Sequence, residues 1–177
     1  MLRLQFQVDG INQVNRALVV ASEAVKDLRP VWESVYDDFL KRERVVFARE
    51  GNYGSPTREM NTPGPWGDWA PLNYAYAEQK KAKGFGSRIL VRTGRLRDSL
   101  TQRGHADAVF VPGRMTMAMG TKVPYSGYHQ HGTRRKNGLV LMPRREPVRI
   151  SEVQARFWVR LIQKFLVSSG QFQREIL

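Results

Sequence analysis

The chain has 177 residues, 41% hydrophobic and 25% charged, with a formal net charge of +13. That length fits one domain, burying roughly 70% of the surface an unfolded chain exposes, and no run of ~18 apolar residues exists to span a membrane. No cysteine is present, which excludes disulfides and thiolate metal sites.

The charge is segregated. Residues 1–50 hold 8 basic and 8 acidic side chains, whereas residues 80–149 hold 16 basic and 3 acidic ones. The whole excess lies in the middle of the chain and points to an acidic partner: nucleic acid, membrane headgroups or an acidic protein surface.

Leu2, Leu4, Phe6 and Val8 alternate with polar residues, which predicts a half-buried strand ended by Asp9-Gly10 and does not resemble a signal peptide. Ile11, Val14, Leu18, Ala21, Val25 and Leu28 recur at spacings of three and four, the stripe of an amphipathic helix. Pro30 breaks that helix or opens a second one, whose apolar period runs to about residue 48. Residues 50–68, rich in glycine and proline, read as a loop longer than the ~12–15 residues common for unstructured connections.

A short helix is expected over 72–82 with Asn73 as its cap, and another over 95–100 after Thr93-Gly94. The period then changes to two. Residues 108–111 and 115–119 predict a β-hairpin around Pro112-Gly113-Arg114, with the methionines on its core face. Residues 139–142 predict a further strand. Ser151 and Gln154 form a capping box for a final helix carrying Phe157, Trp158, Leu161, Ile162 and Phe165. The expected class is α+β: a small antiparallel sheet with N-terminal helices, a C-terminal helix and a long Gly/Pro loop. One domain covers 1–177, divided into an N-terminal strand and helices (1–50), a loop (51–71), a basic core (72–150) and a C-terminal helix (151–177).

Chemistry is sparse. His129 and His131, two of three histidines, would share a face if they lay on a strand, but a metal needs a third ligand. Ser126-Gly127 is not a nucleophile elbow. Asp98, Asp107 and Glu146 stand apart, unlike the clustered carboxylates of a metal-dependent nuclease. Neither catalytic residues, nor a metal, nor a cofactor are expected. Arg92, Arg95 and Arg97, with Arg134, Arg135 and Lys136, read either as solvated charge or as contacts to phosphates or acidic side chains. Tyr125 and Tyr128 interleave with the basic residues as in single-strand binders, without an RRM or OB pattern around them.

The order of motifs is more specific than any one of them. Trp69-Ala70-Pro71-Leu72 is followed by Lys80, then by a segment containing Leu90, Thr93, Gly94, Leu96 and Ser99. After the hairpin come Tyr125, His129, Gln130 and Gly132, and then Pro143 and Arg145 before the last helix. This order resembles the virion-morphogenesis, or tail-completion, family of tailed bacteriophages, over roughly residues 60–155. His131 stands where that family has an aromatic residue, so it is the histidine less expected to share a family role.

The resemblance implies a non-enzymatic structural protein of the head–tail junction (neck) or tail end, acting as a ring subunit in tail completion and head–tail joining. By analogy with tail tubes the ring would be hexameric. Partners would be copies of itself and neighbouring tail-terminator, tail-tube or head-connector proteins, near phage DNA and with no membrane. The location implied is the virion, after assembly in the host cytoplasm. His129-Gln130 would be a structural signature at a strand end, satisfying backbone groups, and Gly94 and Gly132 would supply turns. The rival readings are a basic nucleic-acid-binding protein, with residues 80–149 as its footprint, and a hydrolase using His129.

Overall fold

The computed structural model describes residues 26–51 and 69–171, with isolated positions at Val19 and Ser22. The expected strand at 2–8, nearly all of the helical segment at 11–28, and residues 52–68 of the Gly/Pro loop lie outside the described residues.

Helix α1, Arg29–Ala48, carries Pro30 in its first turn, where a missing backbone N–H leaves no bond unmade. Proline opens this helix. Its buried residues recur every three or four positions, from Val31 and Trp32 to Val46 and Phe47, so one face is turned inward along the whole helix. Helix α2, Tyr74–Ala82, is capped by Asn73, whose side chain accepts from the Ala75 N–H at 3.0 Å. Helix α3, Arg95–Thr101, starts at Gly94 in the left-handed region, and buries Leu96, Ser99, Leu100 and Thr101.

The class is α+β, as expected, but the strands do not join in one sheet. Strands β1, Ala108–Pro112, and β2, Met117–Thr121, pair antiparallel with Phe110 opposite Met119. A second, separate pair joins β3, Thr133–Arg134, to β4, Val140–Met142, with Thr133 opposite Met142. Between the two pairs lies helix α4, Ser126–His131, where the reading of His129-Gln130 placed a strand end. The last helix, α5, Glu152–Gln171, begins where the Ser151 hydroxyl accepts from the Gln154 N–H at 3.2 Å. No helix among the described residues is long and apolar enough to cross a membrane.

Helix α1 runs through two clusters of apolar side chains. Its first turns, with Leu28, Val31, Trp32 and Val35, pack against Trp158, Leu161, Ile162 and Phe165 of α5. Its later turns, with Phe39, Leu40, Val46 and Phe47, pack against Leu96 and Leu100 of α3 and against Trp69. Phe39 is 1% exposed, and burying a side chain of that size stabilises the fold by about 1.5–3 kcal/mol. Phe110 and Trp158 touch both clusters and make them continuous.

Directed hydrogen bonds fix how these layers meet. The Trp158 indole N–H donates to Asp38 at 2.7 Å, tying α5 to α1. The Trp32 indole donates to the Gly113 carbonyl at 2.9 Å, and the Leu28 N–H to the Arg114 carbonyl at 2.7 Å. The hairpin turn is thereby seated on the start of α1. Met117 and Met119 do lie against the core, whereas Met115 falls in the turn and is 53% exposed, because the second strand begins two residues later than the alternation suggested.

Candidate functional site

The motif residues meet in one region. The Trp69 N–H donates to the Glu50 carbonyl at 2.9 Å, which brings Trp69-Ala70-Pro71-Leu72 back to the end of α1. Its ring packs edge-on to Phe47, with centroids 5.2 Å apart, and its indole N–H donates to the Glu146 carbonyl at 2.8 Å. Arg145 makes the reciprocal reach. Its Nε donates to the Ala70 carbonyl at 2.6 Å, one terminal nitrogen donates to the Pro71 carbonyl at 2.8 Å, and its backbone N–H donates to the His129 carbonyl at 2.9 Å. Gln130 bonds the Val148 backbone in both directions, at 2.8 and 3.3 Å. Segments some seventy residues apart are thus joined through side chains that bond backbone groups, the pairing that buried polar groups require.

The two histidines divide on α4. On a helix, positions i and i+2 do not face each other. His129 turns inward, against Tyr125 at 6.0 Å between ring centroids, while His131 is exposed. Burial, with a smaller contribution from the Arg145 charge, holds the His129 imidazole below its ordinary pKa. Its Nδ1 is buried with no hydrogen-bond partner among the described residues. Gly132 ends the helix at φ +70°, and a Cβ there would lie 2.9 Å from the Met142 carbonyl oxygen and the Arg144 nitrogen.

Above this clamp opens a cleft of about 1020 Å³. Leu72, Leu90, Val91, Leu96, Leu141 and Pro143 supply aliphatic lining. Leu90 adopts φ +56°, a left-handed conformation uncommon outside glycine, at the turn that presents it there. Gly94 and Thr93 line the same wall. Lys80, Arg92, Arg95 and Arg145 face the cleft, and among the described residues no acidic side chain lines it. Their charges are not equally free. Arg95 is bidentate with Asp107, at 2.6 and 2.8 Å. Lys80 donates to the Arg88 carbonyl; burial lowers its pKa and the nearby Glu50 charge partly offsets this. Arg92 lies over the Phe85 ring at 4.9 Å. Arg145 is only 7% exposed, and burial holds its guanidinium below its ordinary pKa.

The remaining basic residues lie elsewhere. Arg97 pairs with Asp98 at 2.7 Å and borders a smaller cavity of about 270 Å³ with Arg44 and Arg88. Arg134 ends β3, and Arg135 and Lys136 form the turn of its hairpin; all three are exposed and make no ion pair among the described residues. The expected grouping of arginines therefore splits into a cleft pair, Arg92 and Arg95, a cavity residue, Arg97, and a hairpin tip.

Two residues escaped the site reading. Lys80 entered only as part of the motif order, yet it is the one buried residue of α2. Glu43 is 2% exposed in the core, and its Oε2 has no hydrogen-bond partner among the described residues. Its signal was its position four residues after Phe39 and four before Phe47, on the apolar face of α1. Among the described residues no group of three or more histidines or carboxylates is placed to hold a metal ion. Compared with protein-family models, characterised proteins and solved structures, the chain matches none.

Proposed function

We propose that this chain is a structural subunit of a tailed bacteriophage, one copy in a ring that completes the tail and joins it to the head. The supporting observation is that the ordered motifs resembling the tail-completion family meet in space and hold one another. Trp69 bonds the backbone beside Arg145, Arg145 bonds the backbone beside Trp69, and the His129 carbonyl takes the Arg145 N–H. In this reading the residues at Trp69, Gln130 and Arg145 are a brace that sets the cleft and the β3–β4 hairpin at fixed positions. Function then follows from docking: the exposed basic hairpin tip meets an acidic neighbour, and complementarity sets encounter rate and register.

Quantitative mass spectrometry of purified particles of the encoding phage tests the proposal. The expected result is several copies of the chain in each mature virion. Its absence from mature particles overturns the ring reading. Salt-sensitive binding of free DNA by the isolated subunit, without incorporation into virions, would transfer support to a nucleic-acid-binding protein.

A further inference from the structure

We infer that the cleft between α2, α3 and β4 is a docking site for an extended protein segment carrying a carboxylate among apolar side chains. Its cationic lining carries the inference. Among the described residues no acidic side chain faces the cleft, and Arg145 is 7% exposed there, bonded to backbone carbonyls through Nε and a terminal nitrogen and with no ion pair. A buried charge without a counter-charge is costly, and a carboxylate entering the cleft offsets that cost. Arg92, which lies over the Phe85 ring and makes no ion pair among the described residues, supplies a second positive group at the same wall.

The rest of the lining selects the class of partner. Leu72, Leu90, Val91, Leu96 and Leu141 are aliphatic, and Leu141 is 56% exposed, so apolar side chains of a partner would remove this surface from water. Bases of a single strand would instead stack on aromatic faces. Of the three aromatic residues in the lining, Phe85 has a face covered by Arg92, and Tyr125 is set edge-on to His129. Among the described residues Tyr76 alone of the three has no such ring partner, so the cleft is a poor stacking platform and a good apolar trough with positive charge. The ring reading bears only on which protein supplies the segment; capture of such a segment is a property of this cleft.

Fluorescence anisotropy with the purified full chain tests the assignment. Four probes of matched length are used: a labelled peptide alternating Leu and Glu, the same with Gln for Glu, the same with Lys for Glu, and an oligothymidine. The Leu–Glu peptide is expected to bind most tightly, with Gln for Glu about tenfold weaker, the value of one charge-assisted bond. Arg92→Glu and Leu141→Asp, both at exposed positions, should each weaken the Leu–Glu peptide about tenfold or more while leaving the thermal unfolding curve in place. Equal affinity for the Glu and Gln peptides overturns the proposal, as does peptide binding that ignores both substitutions. Tighter binding of oligothymidine, lost in Arg92→Glu, overturns it in favour of nucleic acid. A failure here leaves the virion copy number unchanged, so it is distinguishable from a failure of the ring reading.

Discussion

The side-chain amide of Gln130 imitates a peptide group toward Val148, donating to its carbonyl at 2.8 Å and accepting from its N–H at 3.3 Å. An isosteric carboxylate can make only one of these bonds. Gln130→Glu keeps an acceptor for the N–H but sets a second oxygen against the Val148 carbonyl. Gln130→Ala removes both partners. Each substitution is expected to destabilise by about 1–3 kcal/mol, lowering the melting temperature by about 2–4 °C per kcal/mol. The two differ in acid. Protonating Glu at position 130 restores a donor, so its deficit should shrink on acidification while that of Gln130→Ala does not. Thermal melts of both variants across acidic and neutral pH check this, and equal deficits at every pH would refute the paired-bond account.

Gly132 is held by two independent constraints, φ +70° and backbone atoms 2.9 Å from where a Cβ would sit. Neither the Met142 carbonyl nor the Arg144 nitrogen can rotate away as a side chain could. Gly132→Ala is therefore expected to lose about 1–3 kcal/mol through backbone strain. Denaturant unfolding measures the loss. An unchanged midpoint would mean that the β3–β4 hairpin moves aside freely.

Much of this architecture was legible in the sequence because it rests on local rules. The three-and-four spacing of α1, Asn73 before α2 and Ser151 before α5 each act within a few residues. The two separate strand pairs were not legible, since pairing partners depend on contacts distant in sequence. The resemblance implied a strand end at His129-Gln130; the segment instead closes as a six-residue helix, and the His129 backbone carbonyl receives the Arg145 N–H. The motif order picked out residues that line the cleft or brace it. It did not show that Arg97 turns to Asp98, or that Lys80 is buried, because both depend on how α2 and α3 are set against their neighbours.

Glu43 is buried among apolar side chains of the core, and burial raises its pKa well above the ordinary glutamate range. The folded protein thus retains this proton at a pH where the unfolded chain has released it. Its contribution to stability is full below the ordinary glutamate pKa and declines as pH rises toward the raised value. Glu43→Leu removes both this decline and a buried oxygen that has no partner among the described residues, and should stabilise the protein by about 1–3 kcal/mol at neutral pH. Urea titrations at a series of pH values test this. A destabilised Glu43→Leu would show that the carboxyl group supports the core.

His129 works in the opposite direction. Burial, then the Arg145 charge, holds its pKa low, so the folded state keeps the imidazole neutral while the unfolded chain takes up a proton. Stability is full above the ordinary histidine value and is lost as pH falls from there toward the depressed one. His129→Asn should flatten that acid limb without affecting the limb that belongs to Glu43. Persistence of the full acid limb in His129→Asn would assign it to another group.

Arg134, Arg135 and Lys136 sit on an exposed hairpin tip and make no ion pair among the described residues, so replacing them with Ser should leave the fold intact. If the proposed docking on an acidic protein ring holds, the triple variant will join tails to heads more slowly, and the deficit will be largest at low salt. There the wild-type charges steer over the longest range, since screening sets in at ~10 Å near 0.1 M salt and farther out in more dilute buffer. If the tip grips phosphate instead, the same variant will lose affinity for free DNA, and the salt slope will fall by about one per contact removed. Under the proposed tail role the protein partner is favoured, because DNA would have to slide through the channel and a strongly basic lining would retard it by attraction. In vitro head–tail joining across a salt series, beside DNA binding by the isolated subunit, separates the two. Normal joining at every salt concentration, with DNA affinity clearly reduced, would reverse the assignment of this surface.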